Sequence, residues 1–549
     1  MPKNILAADD GGKLDIVFRN AKLVDGAGSP WIYADVGVKG DRIEFVRPRT
    51  GEAVTYDAAV EIDCEGLILC PGFIDIHNHS DLAIFHNPDA LNYVYQGVTT
   101  IVVGNCGTSV APLSEGDDGS ELHSFIAERT GSESLYEGLS FADYLSALDK
   151  LPKAINVATL VGHGQVRSCA IGLEKRPASR DEITRMQAHV AEAMEAGAFG
   201  LSTGLIYSPG MYANQEEIAS LVEVVAKYGG YYVSHLRSEA DTMLHALKEC
   251  LEVAEESGCR VQVSHLKASG QRNWGIVDTT LKNMEYARRT GIEVTFDVYA
   301  FTPSGASLFV LFPDWARSGG KAALQQKIKD PDVRARIRRE LVRPSTQWEN
   351  IYLDAKPEGL LITASSKFPE YVGKTVADVA ALRSQDPIEV LFALAEEDID
   401  ISMIAGGMGE EDNRKALIHR LGMICSDSRA TKLGEGMPHP RTYCAFSKVL
   451  YQLVRDESLL PLETAIYKMS GLPAWKLGLG DRGVVRPGAK ADLIVLDIWK
   501  AGCASTFADP HHYAEGVVHL LVNGQFVVKD EQLTEVLPGQ LLRRKSKLV

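Results

Sequence analysis

No stretch of this chain approaches the ~20 consecutive apolar residues that a membrane-spanning helix needs. The opening residues, MPKNILAADDGGKLD, lack the apolar core of an export leader, so a cytoplasmic location is expected. The nine cysteines show no paired framework spacing, and each is expected as a reduced thiol, inert or ligating. Basic residues are in deficit, 57 against 73 acidic ones, a formal charge of −16. A surface that acidic repels phosphate backbones and anionic lipid, so neither nucleic acid nor membrane is expected as a partner. A small anionic substrate is not excluded, because one local cationic pocket outweighs a distant surface. Short repeats and low-complexity tracts are absent as well.

What is present is a long chain of ordinary globular composition, with 549 residues, 45% hydrophobic and 24% charged. One core rarely grows past ~250–300 residues, so more than one structural unit is expected. The two ends alternate apolar and polar residues around Gly and Asp turns, as in KLDIVFRNAKLVDGAG and GVVHLLVNGQFVVKD. Neither end has enough strands to bury a face alone, so residues 1–68 and 481–549 are expected to form one small β-sandwich domain.

The middle, 69–480, alternates short buried strands with amphipathic helices, the pattern of a parallel α/β sheet. Eight strands end in polar residues: LILCPGFIDIHNH, TTIVVGNCG, NVATLVGHG, FGLSTGLIY, YYVSHLRSE, VQVSHLKAS, VTFDVYAF and LGMICSDS. Eight such units imply a TIM-type (β/α)8 barrel with its site at the strand C-terminal ends. A ninth run, ISMIAGGMG, reads as a decoration before the eighth strand. The long connection between the seventh and eighth strands, about 308–375, reads as an inserted helical subdomain, placed as a lid would be.

Six residues at these strand ends can hold a metal. His77 and His79 alternate on a strand and face one side. His235 and His265 end two successive strands in the same Ser-His-Leu context and project into one mouth. Cys106 sits in a Gly-Asn-Cys-Gly turn where its thiolate would bind zinc strongly. Asp427 closes the last strand and serves as ligand, general base, or both. The other cysteines read as small buried side chains. His163, Arg167 and Arg237 read as loop-stabilising, and His439 as a loop hydrogen-bonding residue. His123, His189, His245, His419, His511 and His512 read as structural or exposed. Lys267, two residues after His265, points the same way, either as a solvated rim lysine or toward the pocket.

The stretches PGFIDIHNHSD, VVGNCGTSVAP, GAFGLSTGLIYSPGMYA, SHLRSEAD, SHLKASGQRNWG and LPAWKLGLGDRGVVRPGAKADLIVLD resemble the D-aminoacylase (N-acyl-D-amino-acid deacylase) family of the amidohydrolase superfamily. The resemblance runs to about residue 530. It implies zinc-dependent cleavage of N-acyl-D-amino acids. It implies one tight Zn2+ on Cys106, His235 and His265, and a second, weaker position at His77, His79 and Asp427. It implies Asp427 as the catalytic proton carrier, and Lys267, Tyr299, Ser304 and Ser307 around the substrate carboxylate. Two departures touch the substrate region: Tyr299-Ala300-Phe301 replaces the family's Tyr-Pro-Tyr, and Ser426-Asp427-Ser428 replaces Ser-Asp-Gly. Two other readings stay open, a cyclic amide hydrolase of the hydantoinase or dihydroorotase kind and a non-catalytic scaffold with the same fold. The first usually carries a lysine metal bridge where this chain has a cysteine, and the second typically loses ligands that are all present here.

Overall fold

A computed structural model describes residues 13–50, 54–113 and 139–544. Residues 1–12 and His123 lie outside the described residues. In chain order the strands are β1 Leu14–Leu23, β2 Ile32–Lys39, β3 Arg42–Pro48, β4 Ala58–Asp63, β5 Ile68–Pro71, β6 Phe73–Asp75 and β7 Val98–Val103. Next come β8 Asn156–Thr159, β9 Val161–Gly162, β10 Gly200–Gly204, β11 Tyr231–His235, β12 Arg260–Val263 and β13 Val294–Val298. The remainder are β14 Ser304–Ser307, β15 Leu360–Ala364, β16 Ser402–Ala405, β17 Gly422–Ile424, β18 Leu493–Leu496, β19 Val517–Val522, β20 Gln525–Lys529 and β21 Gln532–Leu533.

A six-stranded parallel sheet and a three-stranded one share a single strand, split into β8 and β9 at Leu160. Leu160 N–H still bonds to Val103 C=O (2.8 Å), and Phe199 N–H bonds to Thr159 C=O (2.8 Å), so the ladder continues through the break. The eight strands in order are therefore β6, β7, β8/β9, β10, β11, β12, β13 and β17. The seam between first and last closes at a parallel bridge, Asn78 to Ser428. His79 N–H donates to Ser428 C=O (2.8 Å) and Asp427 N–H to His77 C=O (3.0 Å) across it. This is the closed barrel, and its eight strands are the eight read from the sequence.

Local sequence explains the helices that wrap it. In helix Arg180–Ala196, Met186, Val190, Ala193 and Met194 fall on one face and are buried. Ser179 and Glu182 form a capping box at its start, and Gly197 ends it with φ 119°. Helix Gln215–Lys227 is capped by Asn214 and buries Ile218, Leu221, Val222 and Val225.

Both chain ends contribute to one nine-stranded sheet, with β18 antiparallel to β5 (Val495 opposite Leu69). Its strands form one hydrogen-bonded network through β1, which pairs with β2, β4 and β5. Its side chains alternate as strand geometry requires. Leu69, Leu493, Val495 and Leu521 enter the sheet's own core. Ile68, Cys70, Ile494, Leu496 and Leu520 join the core of the barrel helices.

The insertion between β13 and β17 has a separate apolar core from Leu308 to Ala405, past the expected limit of 375. It holds the expected helices, Pro331–Leu341 among them, and also a three-stranded antiparallel sheet of β14, β16 and β15. The ISMIAGGMG run is the central strand of that sheet, outside the barrel. Among the described residues, no helix is long and apolar enough to cross a membrane.

The cysteine expectation needs correction. Cys444 and Cys503 form a disulfide, with Cα atoms 5.9 Å apart and a sequence separation of 59. Such a pair is not marked by local spacing; the fold brings it together. The remaining seven cysteines are outside any disulfide.

Candidate metal centre

The six strand-end candidates meet at one mouth. Cys106 Sγ lies 3.3 Å from His77 Nε2, 3.6 Å from His235 Nδ1 and 3.4 Å from His265 Nε2. Asp427 Oδ1 lies 3.2 Å from His79 Nε2 and 3.5 Å from His77 Nε2. The donor atoms fall into three overlapping sets, Cys106–His235–His265, His77–His79–Cys106 and His77–His265–Asp427, each within 4.8 Å. Zinc with S at ~2.3 Å and N at ~2.0 Å in a tetrahedron sets S and N about 3.5 Å apart. The Cys106 spacings match that edge, so thiolate, imidazole and carboxylate here fit zinc in kind and in distance.

The backbone is bent to make this fit. Cys106, His265 and Asp427 all adopt left-handed φ values (51°, 31° and 47°), which non-glycine residues avoid. Close chain approach makes room: a Cβ on Gly204 would stand 2.1 Å from the Cys106 carbonyl oxygen.

Electrostatics favour the ligating states of Cys106, Asp427 and His235, while the same anions raise His77, His79 and His265. Burial opposes ionisation of Cys106, but His77 and His265, with hydrogen bonds from His235 and His265, outweigh it and hold the thiol well below its ordinary range. Burial likewise opposes the Asp427 carboxylate, and Arg441 with His79 overcomes it, so its carboxyl lies well below the usual range. Burial pushes His235 down, toward the neutral ligand form.

A second layer holds the imidazoles. His265 Nδ1 meets Glu239 Oε1 at 2.9 Å, and Lys267 Nζ donates to both Glu239 oxygens at 2.8 Å. Asp297 Oδ1 accepts the His265 backbone N–H at 2.7 Å and lies 3.1 Å from His77 Nδ1. Glu239 N–H donates to Glu349 Oε2 (2.6 Å), which ties the insertion to this layer. Burial, then the Glu239 charge, pushes Glu349 up to about 8.

Lys267 is 4% exposed, which removes the solvated-rim reading. Tyr299 lies between two cations, with the Lys267 ammonium 5.9 Å and the Arg441 guanidinium 4.4 Å from its ring centre. Ser304 and Ser307 sit on β14, Ser304 giving its hydroxyl to Ala405 C=O (3.4 Å) and Ser307 opposite Ser402. Gly305, between them, is the residue that stands against Arg441: a Cβ there would lie 3.2 Å from Arg441 Nη2. His163 is buried with Nε2 2.9 Å from Glu217, which Arg167 also binds. Arg237 pairs with Glu249 (2.7 Å) and with the Met211 and Ala213 carbonyls. His439 Nε2 lies 3.1 Å from Pro303 O.

Arg441, Glu239 and Asp297 escape the sequence reading. Signals existed for two of them, Asp297 as an acid inside the apolar strand VTFDV and Glu239 as an acid four residues after His235. A cavity of about 190 Å3 borders Cys106 and Tyr207. A larger one, about 570 Å3, lies elsewhere, between Lys175 and the insertion's Trp315 and Trp348.

With that geometry in place, known proteins give the comparison. The amidohydrolase family matches residues 60–311 and 359–528. A D-aminoacylase of Alcaligenes xylosoxydans xylosoxydans is 33% identical over 98% of this chain and 99% of its own length. An N-acyl-D-glutamate deacylase of the same organism is also 33% identical, over 98% of both chains. The structure of N-acyl-D-glutamate deacylase from Bordetella bronchiseptica, complexed with zinc and a phosphonate mimic of the tetrahedral intermediate, is similar with a TM-score of 0.80. It is 32% identical over 97% of this chain and 100% of its own.

Proposed function

The chain belongs to the amidohydrolase family, in its D-aminoacylase branch, and from that premise we propose that it hydrolyses N-acyl-D-amino acids to a carboxylate and a free D-amino acid. The observation that carries this reading is the Cys106 thiol among three imidazoles at zinc-like spacing, with Asp427 beside them. Cys106, His235 and His265 would hold the tight zinc. His77, His79 and Asp427 surround a second, weaker position.

Zinc, when bound, lowers the pKa of a water toward ~7 and polarises the acyl carbonyl. Asp427 takes the proton from the attacking water and delivers it to the leaving amide nitrogen. Its low pKa keeps it in the accepting form at neutral pH. Glu239 and Asp297 fix the imidazole orientations. Arg441, Tyr299 and Lys267 form a flank suited to the substrate's α-carboxylate, with Arg441 the planar bidentate partner. A lysine bridge of the hydantoinase kind gains no support, because Cys106 occupies the central ligand position.

The D-aminoacylase and the N-acyl-D-glutamate deacylase share the same 33% identity with this chain, so relatedness does not rank the side chain. A panel of N-acetyl-D- and N-acetyl-L-amino acids, with zinc measured on the same sample, tests the reading. Zinc-dependent turnover of D-substrates supports it; a zinc-loaded protein inert on every member ends it. A cytoplasmic location stands as a proposal. The Cys444–Cys503 disulfide weighs against it, since such bonds are rare in reducing compartments, and cell fractionation decides.

A further inference from the structure

We propose that the substrate's acyl chain seats in the 190 Å3 cavity beside Cys106, and that the cavity admits only short, uncharged acyl groups. This deepens the deacylase reading and depends on it.

An amide carbonyl carbon carries the leaving nitrogen on one side and the acyl chain on the other. Asp427, which must reach the nitrogen, ends the eighth strand. Arg441, Tyr299 and Lys267, fitted to the α-carboxylate, follow the eighth, seventh and sixth strands. The acyl chain therefore points toward the second to fourth strands, and in an eight-stranded ring the fourth lies across from the eighth. The cavity is there. Thr108 follows the second strand, Gln165 and Ser168 the third, and Tyr207 the fourth, with Leu173 on its outer side.

Its chemistry sets the ligand class. Apart from the Cys106 thiol the lining has no ionisable acid or cation, so a charged acyl group would go unpaired. Gln165 has already given its amide N–H to Pro112 C=O (2.9 Å), and the Tyr207 ring stands edge-on to His235, 5.1 Å between centres. The volume, about 190 Å3, falls below the ~300–1,000 Å3 of pockets that hold drug-sized ligands. It corresponds to roughly half a dozen water-sized groups at ~30 Å3 each. The insertion packs against the outer wall at Leu173, itself 40% exposed: Gly319 N–H donates to Leu173 C=O (3.2 Å), and a Cβ on Gly320 would meet Leu173 Cδ1 at 2.7 Å.

The experiment uses the N-formyl, N-acetyl, N-butyryl, N-octanoyl and N-succinyl derivatives of one D-amino acid with the full-length zinc-loaded protein. Wild type should favour formyl to butyryl and fall by roughly tenfold or more on octanoyl and on succinyl. Leu173→Ala should recover part of the octanoyl rate. Ser168→Phe should lower butyryl against formyl by roughly tenfold. The inhibition constant of the free D-amino acid, which leaves this cavity empty, and the bound zinc should not change in either variant. Deacylation with a chain-length profile that neither variant alters, or variants that shift D-amino acid inhibition instead, would overturn the inference alone. No hydrolysis of any member by zinc-loaded wild type would end the deacylase reading and the inference together.

Discussion

Arg441 Nη1 lies 2.9 Å from Asp427 Oδ2, while His79 Nε2 approaches the carboxylate's other oxygen at 3.2 Å. The carboxylate is thus gripped from both sides before any substrate arrives. Asp427→Asn keeps the shape of that grip but cannot carry a proton. It should fold, retain zinc on Cys106, His235 and His265, and lose about 10²–10⁴-fold in kcat. Circular dichroism and metal analysis beside the assay check all three; unchanged turnover would remove Asp427 from the chemistry.

Lys267 is paired with both Glu239 oxygens and its Nζ lies 2.6 Å from His265 Nδ1, so it would meet a substrate carboxylate as a paired ammonium rather than a free charge. Lys267→Met should raise KM for carboxylated substrates and spare neutral amides. Equal losses on both classes would contradict carboxylate binding.

Glu239 carries the orientation of His265. Burial opposes its charge, and Lys267, His265 and His235 together hold its carboxyl down at about 2. Glu239→Gln should weaken zinc binding by about 10–100-fold, measured by chelator competition without any assay of turnover.

Lys476 is a stability reporter far from the chemistry. Its ammonium is buried and donates to Val261 C=O (2.8 Å), and desolvation pulls its pKa down from 10.5 to about 7. The unfolded chain then binds more protons than the folded one between those values. Its contribution to stability therefore rises as pH climbs from about 7 toward 10.5, and is lost as pH falls through 7. Lys476→Met should flatten that part of a melting-temperature profile; an unaltered slope would mean the lysine is hydrated.

The disulfide is open to a count. Denatured without reductant but with chelator, the protein should expose seven alkylatable thiols, and nine after reduction. Cys503→Ser should lower stability by about 2–4 kcal/mol. Nine thiols in the unreduced sample would show that Cys444 and Cys503 are not joined.

The strand ends are legible in the sequence because each barrel strand runs apolar and then stops at a polar tip, as GFIDIHNH and VSHLKAS do. Arg441 is not, since it lies on a helix beyond the last strand and meets Asp427 only through the fold. Glu349 is hidden in the same way, reaching the Glu239 amide from inside an insertion whose own sheet interrupts its helical pattern. The left-handed backbone at Cys106 and Asp427 has no residue signature at all, because neither is a glycine. Ser304 and Ser307 look like loop residues in DVYAFTPSGAS, and the pairing of β14 with β16 that holds them has no local signal because its partner lies about a hundred residues on.

The bonds that join the first barrel strand to the last run through His77, His79 and Asp427 themselves. A ribosome releases His77 hundreds of residues before Asp427, so a growing chain can fold most of its ring and still possess no working centre. Hydrolytic competence would arrive late and all at once, with the docking of the eighth strand, and fragments ending before it would be inert toward whatever acylated compounds surround them.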